Sequence, residues 1–269
     1  MGRVVRKVLR AVADYDPAYY DMYADPNEAF FARVYVERII RAADEAGIRP
    51  PATLLEAGCQ TGRLAIPFAQ RGFRVTGIDT SGFALRRARR HARAAGVEAT
   101  FVRGDLMEVL RREPRSQYDV VACAEVIYLA PDVRAMVEVL AGAVRPGGLL
   151  CISHRPVSYY LIEALRHGDA ATARRVLEDR AGHFEGPFPE RGDYNWQDDA
   201  ELRGLYNALG LREVALYPID RYAWLSGVNV SRLADAEREA WLAAELSAEV
   251  STAACSRYVL VTAVTPHHP

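Results

Sequence analysis

The chain has 269 residues, half of them hydrophobic, enough to bury one large core or one domain with an elaborated cap. A formal net charge of −1 gives no general pull on phosphate backbones, so nucleic acid is disfavoured as a partner. Lys7 is the only lysine, which excludes a P-loop and argues against Schiff-base chemistry. The cysteines Cys59, Cys123, Cys151 and Cys255 form no C-x-x-C pair and several stand in apolar contexts, so a reducing, cytoplasmic setting is expected. Residues 1–16 alternate arginines with short apolar pairs and do not read as a secretory signal. No segment is long enough to span a bilayer, and no membrane partner is expected.

Residues 1–50 read as a helical preface or lid, separate from a second unit over 51–269. Phe31, Val34, Tyr35, Arg38, Ile39 and Ala42 recur at helical spacing before Gly47 stops the run. Tyr15, Tyr19, Tyr20, Tyr23, Phe30, Phe31 and Tyr35 crowd this stretch, and an aromatic stripe at helical spacing is first of all core. Pro50-Pro51 is the hinge.

From Thr53 to Asp79 the pattern is strand, tight loop, helix, strand. The apolar run Thr53-Leu54-Leu55 meets Glu56 and the turn Ala57-Gly58-Cys59-Gln60-Thr61-Gly62, and Arg74 to Ile78 forms a second strand ending on Asp79. Glycines let the backbone bend and approach a ligand closely, and an acid at the second strand's tip can accept both hydroxyls of a ribose. A dinucleotide fingerprint needs glycine at 58, 60 and 63, but Gln60 and Arg63 stand at the last two. A nicotinamide oxidoreductase is therefore the weaker alternative.

The stretch resembles the first motif of the class I S-adenosylmethionine-dependent methyltransferases, E/D-x-G-x-G-x-G, through Glu56, Gly58 and Gly62, with Gln60 in place of the middle glycine. That cofactor carries a sulfonium and no phosphate, so an acid before the loop is tolerable. The resemblance implies S-adenosyl-L-methionine as cofactor, with S-adenosyl-L-homocysteine as product. It also implies a cofactor site built from Glu56, Gly58, Cys59, Gln60, Gly62, Asp79, Thr80, Asp105, Leu106, Ala124 and Glu125. By the same resemblance the preface closes over the cofactor, with Tyr20 or Tyr23 meeting its carboxylate.

The rest of the chain keeps alternating, as parallel strands with helical crossovers do. Ser81 caps a helix to about Ala95 that Gly96 ends, and its arginines read as a solvated face. Thr100 to Arg103 is a third strand, followed by Gly104-Asp105-Leu106, where Asp105 is a helix N-cap, an adenine-binding acid, or both. Tyr118 to Ala124 is a buried fourth strand. Asp132 opens a helix to about Val144, and Arg145-Pro146-Gly147-Gly148 turns into a fifth strand, Leu149 to His154. Asp198 and Asp199 open a helix through Leu209, then Leu211 to Ile219 and Arg257 to Val264 are strands. The resemblance implies an α/β, Rossmann-like, seven-stranded, mostly parallel sheet in the order 3-2-1-4-5-7-6. Cap insertions fall at about 155–196, as two helices and a Gly/Pro-rich loop, and at about 234–250, as a helix.

Ligands of such sheets bind outside the carboxyl ends of the strands, where the order reverses. In-line methyl transfer needs alignment in a dry site and, for some acceptors, a base. Candidates are Glu125, Tyr128, His154, Tyr159 and His183, although His154 reads first as a strand-end imidazole with its bonds satisfied. Cys59 and Cys123 are first two small buried side chains, as free cysteines usually are. No metal-binding motif is present. A methyltransferase acting on a small molecule leads, ahead of a non-catalytic binder of the same cofactor. Ala124-Glu125-Val126-Ile127 stands where nucleic-acid methyltransferases carry N/D-P-P-Y/F.

Overall fold

Strand β1 (Thr53–Ala57) lies at the centre of the sheet of this computed structural model, which describes residues 20–184, 192–248 and 255–267. Before it comes helix α1 (Pro26–Glu45); after it follow α2 (Ala65–Gln70), β2 (Arg74–Asp79), α3 (Gly82–Ala94), β3 (Ala99–Arg103), α4 (Leu106–Arg112) and β4 (Tyr118–Cys123). The chain continues through α5 (Val133–Ala143), β5 (Val144–His154), α6 (Val157–Arg166), α7 (Ala170–Glu178), β6 (Ala181–Phe184) and β7 (Gly192–Asn195). It ends with α8 (Asp199–Ala208), β8 (Arg212–Ile219), α9 (Tyr222–Ser226), α10 (Asp235–Ser247) and β9 (Tyr258–Val264).

The large sheet runs β3-β2-β1-β4-β5-β9-β8, which is the expected 3-2-1-4-5-7-6 with β8 and β9 as its last two strands. β1 pairs in parallel with β2 and β4, while β9 is antiparallel to both β5 and β8. Burial on both faces explains the continuous apolar strands. Leu54 joins the layer covered by α1, α2 and α3, with Phe30, Tyr35, Leu64, Phe68 and Leu85. Leu55, one residue on, joins the opposite layer with Leu110, Val137, Leu140, Leu202 and Tyr206 of α4, α5 and α8, as alternation along a strand requires.

Helix α1 starts where the chemistry allows: the Asp25 carboxylate accepts from the Asn27 and Glu28 amides at 2.8 and 3.0 Å, and Pro26 occupies the first turn. It buries Phe30, Phe31, Val34, Tyr35 and Ile39 against the sheet side of the molecule. Arg38, also buried, donates to the carbonyls of Glu245 and Ala248 and so ties α10 to it.

Three local expectations are corrected. The fifth strand begins at Val144, because Val144 already pairs with Tyr118 before the register shifts and Val120 meets Leu149; the Arg145-Pro146-Gly147-Gly148 stretch is an irregularity within β5. The Gly/Pro-rich loop expected at the end of the 155–196 insertion is flanked by the antiparallel pair β6 and β7, with His183 opposite Asp193. Burial overrides its Gly/Pro composition, since Phe184 stacks on Tyr160 at 5.0 Å and Trp196 is buried in a separate cluster with Tyr159 and Tyr160. Helix α9 and a 3₁₀ turn at Val230–Arg232 also stand between β8 and α10.

Candidate functional site

Strand order reverses between β1 and β4, and the carboxyl ends of β1 to β4 open onto a cavity of about 750 Å³. Gly58, Cys59 and Gln60 line it from the end of β1, Asp79 and Thr80 from β2, Asp105 and Leu106 from β3, and Ala124, Glu125 and Tyr128 from β4. The glycine loop folds back on β2 because the amides of Gly58 and Cys59 both donate to the Ile78 carbonyl, at 2.8 and 3.0 Å. Gly58 has φ +83°, and a Cβ there would stand 2.3 Å from Val126 Cγ2, so only glycine fits. Gly62 does not line the cavity; a Cβ there would lie 3.0 Å from Ile66 Cδ1, which makes it a packing glycine where the loop meets α2.

Asp79 braces this loop from the side. Its carboxylate accepts from the Gln60 amide at 2.9 Å and from the Ser81 amide at 2.8 Å, one bond to each oxygen, and each oxygen keeps acceptor capacity toward the cavity. Asp105 caps α4 by accepting from the Glu108 amide at 3.1 Å, and it also lines the cavity.

Glu56 is buried, and its oxygens accept from the Leu64 and Ala65 amides at 3.3 and 2.6 Å, at the start of α2. Burial outweighs Arg63 and these bonds and pushes its carboxyl from 4.5 up to about 8. Because the folded value exceeds the unfolded one, the stability this group contributes is fully present below about pH 4.5 and is lost as pH rises through 8. Glu56→Gln removes that dependence. The unfolding free energy of the variant is expected to gain on the wild type by about 3 kcal/mol between pH 5 and pH 8; chemical denaturation at both pH values checks it, and a constant difference would contradict it.

Arg63, 5% exposed, is the buried cation that lines the cavity. Its guanidinium forms ion pairs with Glu28 of α1 and, at 2.8 Å, with Glu125 after β4, and lies over the Tyr35 ring. Glu125 has φ +61° and its amide donates to Ser153 Oγ at 2.7 Å, which fixes the residue at the strand end. Burial would raise the Glu125 carboxyl, but Arg63 holds it below the usual range; burial wins at Glu28, which is raised. The cavity therefore presents carboxyl groups at the ends of β2, β3 and β4, Glu56 of β1 being raised to about 8 and so protonated at neutral pH, while its buried arginine is already paired. Such a wall repels pyrophosphate and suits a cationic sulfonium with a ribose and a purine.

Other predicted residues lie elsewhere. Tyr20 is half exposed and Tyr23 packs on His91 with ring centroids 4.6 Å apart; neither lines the cavity, whereas their neighbour Met22 does. His154 is buried between Gln197 and Tyr206, at 3.2 and 2.9 Å, and burial lowers it to about 4. Tyr159 is buried beside Arg155, and His183 is an exposed hairpin residue 2.8 Å from Asp193. Composition and spacing missed Arg63 as a pairing centre, and also Met107, Arg111 and the 129–136 wall. Only the position of the last segment just past a strand end signalled it.

A methyltransferase domain profile matches residues 54–148. The ubiquinone biosynthesis O-methyltransferase of Erwinia tasmaniensis is 32% identical over 188 residues, spanning 69% of this chain and 74% of that protein. The protein of the same name from Klebsiella pneumoniae is 37% identical over 100 residues, and there the match spans 41% of the relative's length. Among solved structures, magnesium protoporphyrin IX methyltransferase from Synechocystis PCC 6803 with bound S-adenosylhomocysteine shares the fold at TM-score 0.56 and 18% identity, covering 97% of this chain and 98% of the other. An S-adenosylmethionine-dependent methyltransferase from Clostridium acetobutylicum does so at TM-score 0.59 and 11% identity, covering 98% of each. On the strength of the long Erwinia alignment, the chain belongs to the class I S-adenosylmethionine-dependent methyltransferase family.

Proposed function

We propose that the chain transfers the methyl group of S-adenosylmethionine to a hydroxyl of a small aromatic acceptor. The observation that carries this reading is the cavity in which the glycine loop, Asp79, Asp105 and Glu125 meet at the sheet's reversal point. Asp79 takes the ribose hydroxyls, Asp105 and the Leu106 amide take the adenine edge, and the main chain of 58–60 makes room for the amino-acid end. Glu125, held ionised by Arg63, faces positive charge and is a poor proton acceptor. Tyr128 is the other catalytic candidate on the cavity wall. The names of the curated relatives support oxygen as the accepting atom, and the apolar wall of Met22, Met107, Leu129, Pro131 and Met136 suits a flat ring.

When bound, the cofactor supplies a methyl activated by its sulfonium. The chain's residues orient it, keep water out and meet the positive charge that fades as transfer proceeds. A cytoplasmic setting without nucleic acid goes with this reading, supported by the balanced charge and by the free, buried thiols of Cys59, Cys123 and Cys151. No helix among the described residues is long and apolar enough to cross a membrane.

Calorimetric titration with S-adenosylhomocysteine and with NAD, followed by transfer of labelled methyl groups to a panel of catechols and phenols, tests the reading. Binding of the first ligand alone, with an O-methylated product, is the expected result. Tight NAD binding with no response to S-adenosylhomocysteine would sink it. Cofactor binding without transfer to any compound of a metabolite extract would instead favour a non-catalytic binder.

A further inference from the structure

We infer that Gln60, standing where the family motif carries glycine, is a positioning residue that clasps residues 20–23 onto the glycine loop and thereby slows escape of the cofactor. The inference rests on the family reading of the cavity and adds to it a role for the one departure in the motif. Gln60 Nε2 donates to the Tyr20 carbonyl at 2.9 Å. Its Oε1 accepts from the Met22 amide at 3.4 Å and from Thr61 Oγ1 at 2.8 Å. Thr61 Oγ1 in turn accepts from the Tyr23 amide at 3.0 Å. Two adjacent loop side chains thus engage the main chain of three residues in the segment before α1, and a glycine in place of Gln60 makes none of its bonds.

The clasped segment matters to the ligand because Met22 and Gln60 both line the cavity. Its other side is anchored on α3, where Asp21 pairs with Arg87 at 3.1 Å and with His91 at 3.0 Å, and Tyr23 lies on the His91 ring. Residues 20–23 therefore bridge the loop and α3 beside the cavity. Gln60 does this at a backbone cost, since its φ is +45°, a region an L-residue avoids and glycine enters freely. A merely structural glutamine would be expected at relaxed geometry. Here the strain is retained together with a side chain that reaches back over the loop.

Stopped-flow measurement of S-adenosylhomocysteine dissociation from wild type, Gln60→Gly, Gln60→Glu, Thr61→Val and the double variant combining Gln60→Gly with Thr61→Val tests this, beside thermal unfolding of each apoprotein. Gln60→Gly is expected to raise the dissociation rate about tenfold, the equivalent of one net hydrogen bond. Its melting temperature moves little, because relief at a positive φ offsets the lost bonds. Gln60→Glu sets a carboxylate oxygen against the Tyr20 carbonyl, acceptor against acceptor, so it raises the rate at least as much as Gln60→Gly. The double variant gains less than the product of the single effects, because both residues hold one segment. Amide exchange at Met22 and Tyr23 in the apoprotein quickens in Gln60→Gly. Unchanged dissociation and unchanged exchange in Gln60→Gly would overturn the clasp while leaving the family reading intact. A wild type that binds no S-adenosylhomocysteine would overturn both.

Discussion

Arg63→Met is expected to lower the unfolding free energy by about 3–5 kcal/mol. The reason is not the intrinsic worth of a buried ion pair, which against apolar residues of equal volume is often near zero. It is what the substitution leaves behind: Glu28 and Glu125 both pair with Arg63 inside the protein, and without the guanidinium two desolvated carboxyls face each other with only the Coulombic pull of Arg257 to offset them. The loss also depends on pH, with a sign that follows from the same groups. In the wild type Glu125 sits below its ordinary value, so its contribution is present above about pH 4.5 and is lost as pH falls through its folded value. In the variant both carboxyls rise above their unfolded values, so stability is retained at low pH and lost as pH increases. Urea titrations at pH 5 and pH 8 should therefore show the smaller deficit at pH 5. The triple variant Glu28→Gln, Arg63→Met, Glu125→Gln should recover much of the loss at pH 8, since it removes the stranded charges together with their partner. A deficit that is independent of pH and not recovered would mean that Arg63 acts through packing on Tyr35 alone.

Arg63 also shows where reading the chain residue by residue stops. The glycine loop, Asp79 and Asp105 were legible because each announces itself locally: a turn only glycine fits, a carboxylate ending a strand, an N-cap before a helical run. The sheet was legible because Leu54 and Leu55 belong to a continuous apolar strand flanked by helices with a stripe each. The Glu28–Arg63–Glu125 group draws on α1, the loop and the end of β4, and no spacing in the chain links those positions. At position 63 the visible signal was only a missing glycine. The β6–β7 hairpin was hidden for another reason: Phe184 and Trp196 owe their strand geometry to burial against Tyr160, a contact the local Gly/Pro content conceals. His154 illustrates the converse, a residue whose type suggests chemistry and whose surroundings, Gln197 and Tyr206, satisfy both ring nitrogens away from the cavity.

Asp79→Ala is expected to weaken S-adenosylhomocysteine binding about a hundredfold, roughly 2.7 kcal/mol. Two losses combine. The side chain now fixes the loop through the Gln60 amide and the following turn through the Ser81 amide, so its removal loosens the segment that shapes the cavity mouth. It also removes the acceptor proposed for the ribose hydroxyls, and bonds to an ionised acceptor are worth about 1.5–3 kcal/mol each. Calorimetry with a matched ligand pair separates the two. A ribose-deoxygenated analogue of S-adenosylhomocysteine should bind the wild type far less tightly than the parent compound, whereas Asp79→Ala should hardly distinguish them, because the partner of the missing hydroxyls is already gone. If the variant discriminates between the two ligands as strongly as the wild type, the hydroxyls are bound by another group and Asp79 serves only as the brace of the loop. If affinity for the parent compound is unchanged, the carboxylate at the tip of β2 has no part in holding the cofactor.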